Sequence, residues 1–320
     1  MSNEKIKVFL IGLGRMGMTG FKELKGSQST QTHFNHIITD NRFELIGVWD
    51  TDLRKLERVK KKYSKTLVIS NEFEDIETDL FVIATPESTH LDIVRKIVKN
   101  CHVKVLMCEK PVGSSQREMI EIDDLLEKTE IECIVNYPRS LSIKNANLFE
   151  KIKSEFARHN PLVIANISDS SNSALWHFFN LLMTISEESK KLTFSHLLTV
   201  NQKRIRSFVG ECPSFSLHLN LIDFEESSLA DVIIYTPEST YFFLNGFTEI
   251  HASSNERSYG WRKTLLDPEE KIDLMADFMD NLYDAAIKIL RNESHNLDQM
   301  EVVKQTHSLI ERFRGQLNGN

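Results

Sequence analysis

The sequence lacks the features that mark nucleic-acid-binding and membrane proteins. Its 39 basic and 46 acidic side chains give a formal charge of -7, and no basic block stands out that could bind a phosphate backbone. No apolar run approaches the roughly 20 residues that span a bilayer, and the first residues, MSNEKIKV, carry no apolar signal region. We therefore expect a cytoplasmic protein without a nucleic-acid or membrane partner.

Cysteine is also scarce and shows no functional spacing. The four cysteines form neither a CxxC pair nor a Cys/His cluster of the kind that binds zinc, and they are Cys101, Cys108, Cys133 and Cys212. No metal site is expected from this pattern. In a cytosolic protein we expect these thiols to be reduced and buried.

Glycine is infrequent, yet three glycines fall together after the first apolar stretch, which includes Ile6 to Ile11. In the run Gly12-x-Gly14-x-x-Gly17, the first glycine permits a tight turn, the second lets the backbone approach a pyrophosphate, and the third lets a helix pack on the strand. A helix start there would offer free N–H groups and a positive dipole end to the phosphates. The motif predicts a dinucleotide site, with Arg15 and Met16 also in contact with the cofactor.

A second apolar stretch, Glu44 to Asp50, ends in a carboxylate. Asp50 is expected to accept hydrogen bonds from the adenosine ribose hydroxyls; the alternative is that it caps the helix expected over Asp52 to Tyr63. The spacing from the glycines exceeds the usual value of about 20 residues. We assign the excess to the polar tract from Gly26 to about Arg42, interpreted as an inserted loop or a helix extension.

The carboxylate also bears on the choice of cofactor. Because Asp50 would repel a 2′-phosphate, NAD is the expected cofactor. NADP is the alternative if Asp50 turns away and Arg15 and Arg54 pair with the phosphate.

Strand and helix patterns alternate through residue 137, as a doubly wound parallel sheet requires. Helices are expected around Leu91 to Val98 and after Ser115, which forms a capping box with Glu118. The further strands are Leu67 to Ser70, Asp79 to Pro86, Lys104 to Cys108 and Ile131 to Tyr137. Six parallel strands would complete an α/β Rossmann domain over residues 1–137.

The pattern changes after Pro138, where several strands follow one another without helices between them. This predicts an α+β domain over residues 138–320, built on a mostly antiparallel sheet, for substrate binding and oligomerisation. The expected elements are helices near Ser142 to Phe156 and Ala174 to Ile185, and strands at Leu162 to Ser168, Leu217 to Ile222, Ala230 to Tyr235 and Tyr241 to Phe247.

Two helices are expected at the end of the chain. Asp267 as N-cap, Pro268 at the first helical position and Glu270 predict the start of an amphipathic helix that continues to Ile289. A last helix is expected from about Leu297 to Arg314. Whether this helix packs on the first domain is left open.

Five features then occur together in a fixed order. They are GLGRMG, Asp50, Thr85-Pro86-x-x-Thr89-His90, Glu109-Lys110-Pro111 and Asn136-Tyr137-x-Arg139. With them the chain resembles, over essentially its whole length, the Gfo/Idh/MocA oxidoreductases, named after glucose-fructose oxidoreductase and inositol 2-dehydrogenase. The combination of TPxxTH after the fourth strand and Glu-Lys-Pro after the fifth is specific to that family.

The resemblance implies an NAD(P)-dependent dehydrogenase or reductase, which acts on a hydroxyl or carbonyl of a sugar, cyclitol or sugar nucleotide. Relatives are usually oligomers, so a homo-oligomer, dimer or tetramer, is expected. Two other functions stay open: a dinucleotide-binding sensor or scaffold without turnover, and a reductase of a non-sugar carbonyl or imine.

The resemblance also implies roles for residues at the ends of the fourth to sixth strands. Thr85 and Pro86 would lie along the cofactor and His90 near the nicotinamide, with a helix-start cap as the alternative for His90. Lys110 would bind the substrate hydroxyl and relay its proton, oriented by Glu109. The remaining two are Asn136 and Arg139, expected to shape the cleft or hold the cofactor, with a structural bridge as the alternative for Arg139.

His177 is the second expected catalytic residue, and its sequence surroundings are apolar. From the residues alone, a buried core histidine is the more natural interpretation. The resemblance implies instead an acid/base that faces the nicotinamide. At the positions where relatives carry Asp, Gly and Asp, this chain has Ser173, Leu175 and Asn180, so a serine would line the substrate site where a carboxylate usually supports the imidazole.

Overall fold

A computed structural model describes residues 4–20, 31–63, 67–69, 73–144, 148–168, 172–200, 205–223, 230–258, 261–293 and 297–318. The chain forms two compact units. The first comprises Met1–Asn136 with Met279–Lys304, and the second comprises Tyr137–Phe278 with Gln305–Asn320. The break after Asn136 lies one residue before the predicted boundary, whereas Met279–Lys304 was expected in the second domain.

The first unit contains a six-stranded parallel sheet in the order β3-β2-β1-β4-β5-β6. The strands are β1 (Ile6–Ile11), β2 (Phe43–Trp49), β3 (Leu67–Ile69), β4 (Leu80–Ile83), β5 (Val105–Cys108) and β6 (Glu132–Val135). Every residue of β4 and β5 is buried, as in a sheet covered on both faces. The predicted six-stranded parallel Rossmann sheet is confirmed.

Helices of this unit connect the strands and cover the sheet. They are α1 (His33–Thr39), α2 (Leu53–Lys62), α3 (His90–Asn100) and α4 (Gln116–Thr129). At the start of α4 the Ser115 hydroxyl accepts the Glu118 N–H at 3.2 Å, as the capping box predicts. The Glu118 carboxylate, however, accepts from the N–H and hydroxyl of Ser114, so the second half of the box uses the preceding residue.

The structure corrects the interpretation of the polar tract between Gly26 and Arg42. Within it, α1 is an integral helix of the Rossmann unit: the Thr32 hydroxyl caps it by accepting the Asn35 N–H at 3.2 Å, and Phe34 and Ile37 are buried. Residues 26–30 lie outside the described part of the chain. The helix was missed because the tract is mostly polar. A helix of seven residues buries only a few side chains, so its apolar positions are too few to give a clear pattern.

The second unit contains an eight-stranded sheet in the order β14-β13-β12-β11-β7-β10-β9-β8. β7 and β10 pair in parallel and the other neighbours are antiparallel, which confirms the predicted mostly antiparallel α+β fold. The strands are β7 (Leu162–Ser168), β8 (Thr193–Val200), β9 (Ile205–Cys212), β10 (Phe215–Ile222), β11 (Ala230–Tyr235), β12 (Ser239–Leu244), β13 (Glu249–Ser258) and β14 (Trp261–Asp273).

Helices of the second unit precede and follow β7. They are α5 (Pro138–Lys144), α6 (Leu148–Arg158) and α7 (Asn172–Ile185). The chain then ends with α8 (Phe278–Leu290) and α9 (Leu297–Asn318), whose residues divide between the two units. No helix among the described residues is long and apolar enough to cross a membrane.

The predicted helix start at Asp267 is wrong. Residues 267–273 belong to β14, which pairs with β13, and the helix begins only at Phe278. β14 is the edge strand of the sheet, where proline is tolerated because an outward-facing position needs no N–H donor. The pairing register also shifts between His251 and Ser253, opposite this segment. Strand pairing therefore overrides a local capping signal.

Candidate cofactor and catalytic site

The glycine turn lies between the carboxyl ends of β1 and β4. Gly12 has a φ of 95°, and a Cβ there would lie 2.5 Å from the Ala84 carbonyl oxygen. A Cβ on Gly17 would lie 2.0 Å from the Gly12 carbonyl oxygen. Both positions exclude any side chain because backbone atoms fill the space.

Gly14 is different, because its nearest neighbour beyond the adjacent residues is the Ala84 oxygen, 4.0 Å from a would-be Cβ. The protein itself therefore does not require a glycine at position 14. The open space beside it fits a pyrophosphate approaching the backbone, which is the role of the second glycine of the motif. After Gly14 the chain makes a single wide helical turn, Arg15–Thr19, with Arg15 exposed and Met16 half-buried.

We expect the substitution Gly14→Ala to weaken NADH binding about tenfold, which corresponds to about 1.4 kcal/mol, while the melting temperature stays unchanged. The added methyl group meets no protein atom but occupies the space assigned to the pyrophosphate. Fluorescence titration with NADH measures the dissociation constant. Gly315→Ala, which also adds a methyl group without close neighbours, is the matched control, and equal NADH affinity in both variants would contradict the assignment.

Asp50 follows β2 and is only 6% exposed. Its carboxylate accepts the Leu13 N–H at 2.6 Å, the Asp52 N–H at 2.7 Å and the Lys55 ammonium at 3.2 Å. The helix α2 is capped by Asp52, so the alternative in which Asp50 caps this helix does not describe the structure. Since each carboxylate oxygen accepts two hydrogen bonds, Asp50 can still accept a ribose hydroxyl.

Lys55 is a cation at this end of the site that the sequence motifs did not indicate. Its only signal is its position at the start of the helix after Asp50. Arg54, one of the two arginines considered for a 2′-phosphate, is paired with Asp52 at 3.1 Å and is highly exposed. If a 2′-phosphate binds, Lys55 is therefore better placed beside Asp50 than Arg54.

His90 is fully buried at the start of α3. Its Nε2 lies 2.9 Å from the Thr85 carbonyl oxygen and its Nδ1 lies 3.1 Å from the Val112 carbonyl oxygen. The imidazole thus connects the loop after β4, which contains Pro86, to the loop after β5. Cys108 Sγ also lies 3.4 Å from Nδ1. The expected contact between His90 and a cofactor stays a prediction.

Glu109 follows β5 and makes a buried hydrogen-bond network. Its Oε1 accepts the Asn136 side-chain N–H at 2.6 Å and lies 3.2 Å from His33 Nε2, and His33 Nδ1 lies 3.0 Å from the Tyr283 hydroxyl. Burial opposes the charge on Glu109, but the hydrogen bond and the charge of a protonated His33, the hydrogen bond from Asn136 and, as the smallest contribution, the charge of Lys110 together lower its pKa. Glu109 is therefore ionised at neutral pH.

Sequence reasoning missed His33 and Tyr283. His33 lies in the polar tract, and Tyr283 is 250 residues away along the chain, so no local pattern joins either to Glu109. Asn136 also has a buried side-chain oxygen, Oδ1, without a hydrogen-bond partner among the described residues. This unpartnered acceptor oxygen could receive a hydrogen bond from a bound cofactor, for example from a ribose hydroxyl or a carboxamide N–H.

Lys110 is half-buried, and the peptide bond that joins it to Pro111 is cis. It lies two residues beyond the carboxyl end of the central strand β5. Open α/β sheets bind ligands at this edge. The position is thus compatible with the predicted role of Lys110.

His177 lies on α7 in the second unit and is 7% exposed. Its ring meets the Tyr137 ring edge-on at a centroid distance of 6.0 Å, and Trp176, Phe178 and Phe179 are buried beside it. Ser173, one helical turn earlier, is exposed. This burial is what the core interpretation of His177 requires, and it leaves only a small part of the residue accessible.

Asn180 and Arg139 have well-defined partners within the second unit. The Ser140 hydroxyl donates to the Asn180 side-chain oxygen at 2.5 Å, and the Asn180 amide donates to Thr306 at 3.3 Å. Arg139 Nε donates to the Gly246 carbonyl oxygen at 2.7 Å. Burial lowers the pKa of Arg139 to about 10, so the guanidinium remains charged at neutral pH.

The structure also contains a large open cavity of about 1090 Å³ within the first unit. Its lining includes Lys7, Asp79, His102 and Lys104, which lie at the amino ends of the strands. This cavity opens at the edge of the sheet opposite Gly12, Asp50 and Lys110. Ligands bind open α/β sheets at the carboxyl edge, so we assign the site to that edge.

The cysteines and possible metal ligands add no chemistry to the site. All four cysteines are free; Cys108 and Cys133 are buried as expected, whereas Cys101 and Cys212 are half-buried, which corrects the expectation for these two. Burial raises the pKa of the Cys108 and Cys133 thiols, which makes them unreactive. Within the described ranges, no three His, Cys, Asp or Glu side chains are grouped so that they could hold a metal ion.

Three solved structures illustrate the similarity of the fold. The WlbA dehydrogenase from Chromobacterium violaceum, in complex with NADH and UDP-GlcNAcA, has a TM-score of 0.66 at 16% identity and covers 99% of this chain and 95% of its own. A 3-ketoreductase variant from Actinomadura kijaniata, in complex with TDP-benzene and NADP, has a TM-score of 0.69 at 10% identity and covers 98% of both chains. The super-repressor mutant of Gal80p from Saccharomyces cerevisiae has a TM-score of 0.67 at 11% identity, and the match covers 99% of this chain and 97% of the Gal80p chain.

At such identities these structures show the fold alone. A comparison with curated protein sequences gives no significant match. The family comparison is more specific: residues 6–137 match the model of the oxidoreductase family with an NAD-binding Rossmann fold. Residues 6–137 thus match the NAD-binding Rossmann fold of the Gfo/Idh/MocA oxidoreductases, and this segment contains the glycine turn, Asp50 and the Glu109-Lys110-Pro111 motif.

Proposed function

We propose that the protein is a cytoplasmic NAD(P)-dependent oxidoreductase that acts on a hydroxyl or carbonyl group of a sugar, cyclitol or sugar nucleotide. A bound nicotinamide cofactor would supply the hydride chemistry. The residues that would hold it are those around the glycine turn, Asp50, the loop at Thr85 and Pro86, and Asn136. Lys110 would bind the reacting oxygen of the substrate and exchange its proton.

The observation that carries this proposal is the buried, ionised Glu109 directly before Lys110 at the carboxyl end of β5. An anion kept charged in a buried place stabilises the neighbouring ammonium, by the same interaction that lowers the pKa of Glu109. The ammonium form of the lysine can donate a hydrogen bond to a carbonyl oxygen. After it has lost a proton, the resulting amine can accept the proton of a hydroxyl. General acid/base chemistry of this kind contributes about 10² to 10⁴ in rate.

His177 is proposed as the second acid/base residue, with Ser173 lining the substrate site. Support comes from the spacing of the two residues, which lie one helical turn apart on α7. The high burial of His177 supports the core alternative. Because Ser173 cannot stabilise an imidazolium as a carboxylate does, Lys110 is expected to carry the larger share of the proton transfer.

Arg139 supports a substrate with a negatively charged group. Among the described residues its guanidinium makes one hydrogen bond, from Nε to the Gly246 carbonyl oxygen, and pairs with no carboxylate. A mostly buried cation without an acidic partner is costly unless a ligand supplies the anion. The guanidinium fork matches a carboxylate or phosphate in particular, and sugar acids and sugar nucleotides carry these groups.

We expect Arg139→Met to weaken the binding of UDP-GlcNAcA, measured in the presence of NADH by calorimetry, about tenfold to a hundredfold, since a hydrogen bond to a charged group contributes about 1.5–3 kcal/mol. Binding of the neutral probe myo-inositol should not change. Arg158→Met, which removes an exposed arginine of the second unit, is the control. If wild-type protein binds the neutral probe and no anionic sugar, Arg139 is a structural residue only.

The alternative function is a dinucleotide-binding sensor or scaffold. Two observations favour it: the serine at position 173, and the fold shared with the super-repressor mutant of Gal80p. Fluorescence titration with NADH and NADPH, combined with turnover assays on polyols, sugars, sugar nucleotides, other carbonyls and imines, separates the possibilities. Tight cofactor binding without turnover on any compound would favour the sensor, and turnover of imines or non-sugar carbonyls alone would favour the other reductase.

A homo-oligomer, dimer or tetramer, is also proposed. The eight-stranded sheet offers half-buried side chains on β7, β10 and β11 that a second subunit could cover. Light scattering coupled to size-exclusion chromatography gives the molar mass directly. A mass near 37.0 kDa would show a monomer.

A further inference from the structure

The buried network behind Lys110 contains more groups than the predicted mechanism uses. The ring of His33 lies between the Tyr283 hydroxyl, 3.0 Å from Nδ1, and Glu109 Oε1, 3.2 Å from Nε2. All three side chains are buried. They come from α1, α8 and the end of β5, so three separate segments of the first unit meet at this place.

The direction of each hydrogen bond follows from the chemistry of the groups. An ionised carboxylate can only accept, so His33 Nε2 and the Asn136 amide both donate to Glu109 Oε1. In a neutral His33 the other nitrogen, Nδ1, then accepts the proton of the Tyr283 hydroxyl. Tyr283 thereby fixes the tautomer that His33 needs in order to donate to Glu109.

The two oxygens of Glu109 are thus used unequally. Oε1 takes both interior hydrogen bonds, whereas Oε2 accepts none from the described residues. The carboxylate is anchored through one oxygen and keeps acceptor capacity on the other, and its charge acts on that of the adjacent residue Lys110. This is the arrangement expected of a group that holds a neighbouring ammonium, since it fixes the carboxylate without saturating it.

We propose that His33 and Tyr283 are positioning residues which hold Glu109 as a fixed carboxylate and so keep the side chain of Lys110 charged. The significance of this arrangement for catalysis rests on the proposed function, in which Lys110 exchanges the substrate proton. The arrangement itself concerns only the charge of Lys110 and can be tested without substrate or cofactor.

Other charged groups surround the network. His36, also on α1, stacks on the Tyr283 ring at a centroid distance of 4.3 Å. Asp280 lies 3.7 Å from His36, and Arg42 forms ion pairs with Asp40 and Asp284. None of these groups has a hydrogen bond to Glu109 among the described residues.

The test measures how fast Lys110 reacts with trace acetic anhydride at pH 8, by peptide mass spectrometry, relative to the exposed Lys104 at the other end of β5. Only the uncharged amine reacts. Glu109→Gln should raise the relative rate about tenfold, the effect of losing one close opposite charge. His33→Leu and Tyr283→Phe should raise it about two- to tenfold, the range for one hydrogen bond.

The matched control is Tyr241→Phe, which removes another fully buried hydroxyl, one that donates to Glu155 at 2.8 Å in the second unit. It should lower the melting temperature without changing the labelling of Lys110. Tyr283→Phe keeps the aromatic packing and removes a single oxygen, so it remains informative if His33→Leu fails to fold. With an identified substrate, the same variants should also shift the pH dependence of kcat/KM.

Two results would overturn the proposal. Unchanged labelling in both Tyr283→Phe and folded His33→Leu, with a clear increase in Glu109→Gln, would show that Glu109 is held without the network. Unchanged labelling in Glu109→Gln would show that Glu109 does not hold the charge of Lys110. Neither result depends on turnover, so an inactive protein would contradict the proposed function while leaving this proposal intact.

Discussion

Lys110→Met should lower kcat/KM by about 10² to 10⁴ on any substrate that the turnover panel identifies, because it removes the proposed proton donor and acceptor while keeping a side chain of similar length. The affinity for NADH should change little, since the pyrophosphate and ribose contacts lie at the glycine turn and at Asp50. Steady-state kinetics and NADH fluorescence titration measure the two quantities separately.

Lys104→Met is the appropriate control for this variant. Lys104 is exposed and immediately precedes β5, whereas Lys110 follows the same strand, so the two substitutions remove equal charges from opposite ends of one element. The control should keep full activity. A Lys110→Met protein that is as active as wild type would remove Lys110 from the mechanism and leave the fold assignment untouched.

The Rossmann unit was predictable because its signals are local and redundant. The apolar runs of β1, β4 and β5, the glycine turn and the capping box at Ser115 each indicate the same α/β arrangement. The failures have physical reasons as well. At Asp267 a good capping sequence lies in an edge strand, next to a shift in the pairing register, and edge strands tolerate proline.

The candidate site was only partly predictable for a related reason. Motif residues such as Gly12, Asp50 and Lys110 follow strands, so their edge of the sheet could be inferred. The side chains that contact these residues could not be inferred. Tyr283 and His33 are 250 residues apart along the chain, and Lys55 belongs to no motif. Contacts of high sequence separation leave no periodic signal in a single sequence.

Acid should destabilise the second unit through His307. This imidazole on α9 is 1% exposed, its Nε2 has no partner among the described residues, and it meets the Trp176 ring edge-on at 4.4 Å. Burial, with a smaller contribution from the positive charge of Arg314, lowers the pKa of His307 to about 4 from a usual value of 6.5.

The sign of the effect follows from proton binding. Between pH 6.5 and about 4 the unfolded chain binds a proton at His307 that the folded chain does not, so stability falls as the pH falls through this window. A difference of this size corresponds to roughly 3 kcal/mol when complete. Above pH 6.5 the residue is neutral in both states and has no effect on the pH dependence.

His307→Phe should abolish this contribution, because phenylalanine keeps an aromatic ring against Trp176 and cannot be protonated. Between pH 7 and pH 4 the melting temperature of the wild type should fall by about 6–12 °C more than that of the variant, the shift expected for roughly 3 kcal/mol in a unit of this size. The exposed His218 provides the control, since His218→Phe removes an imidazole that water already surrounds. If the melting temperatures of wild type and His307→Phe fall equally between pH 7 and pH 4, His307 is protonated in the folded state as readily as in the unfolded chain. That result would contradict the prediction.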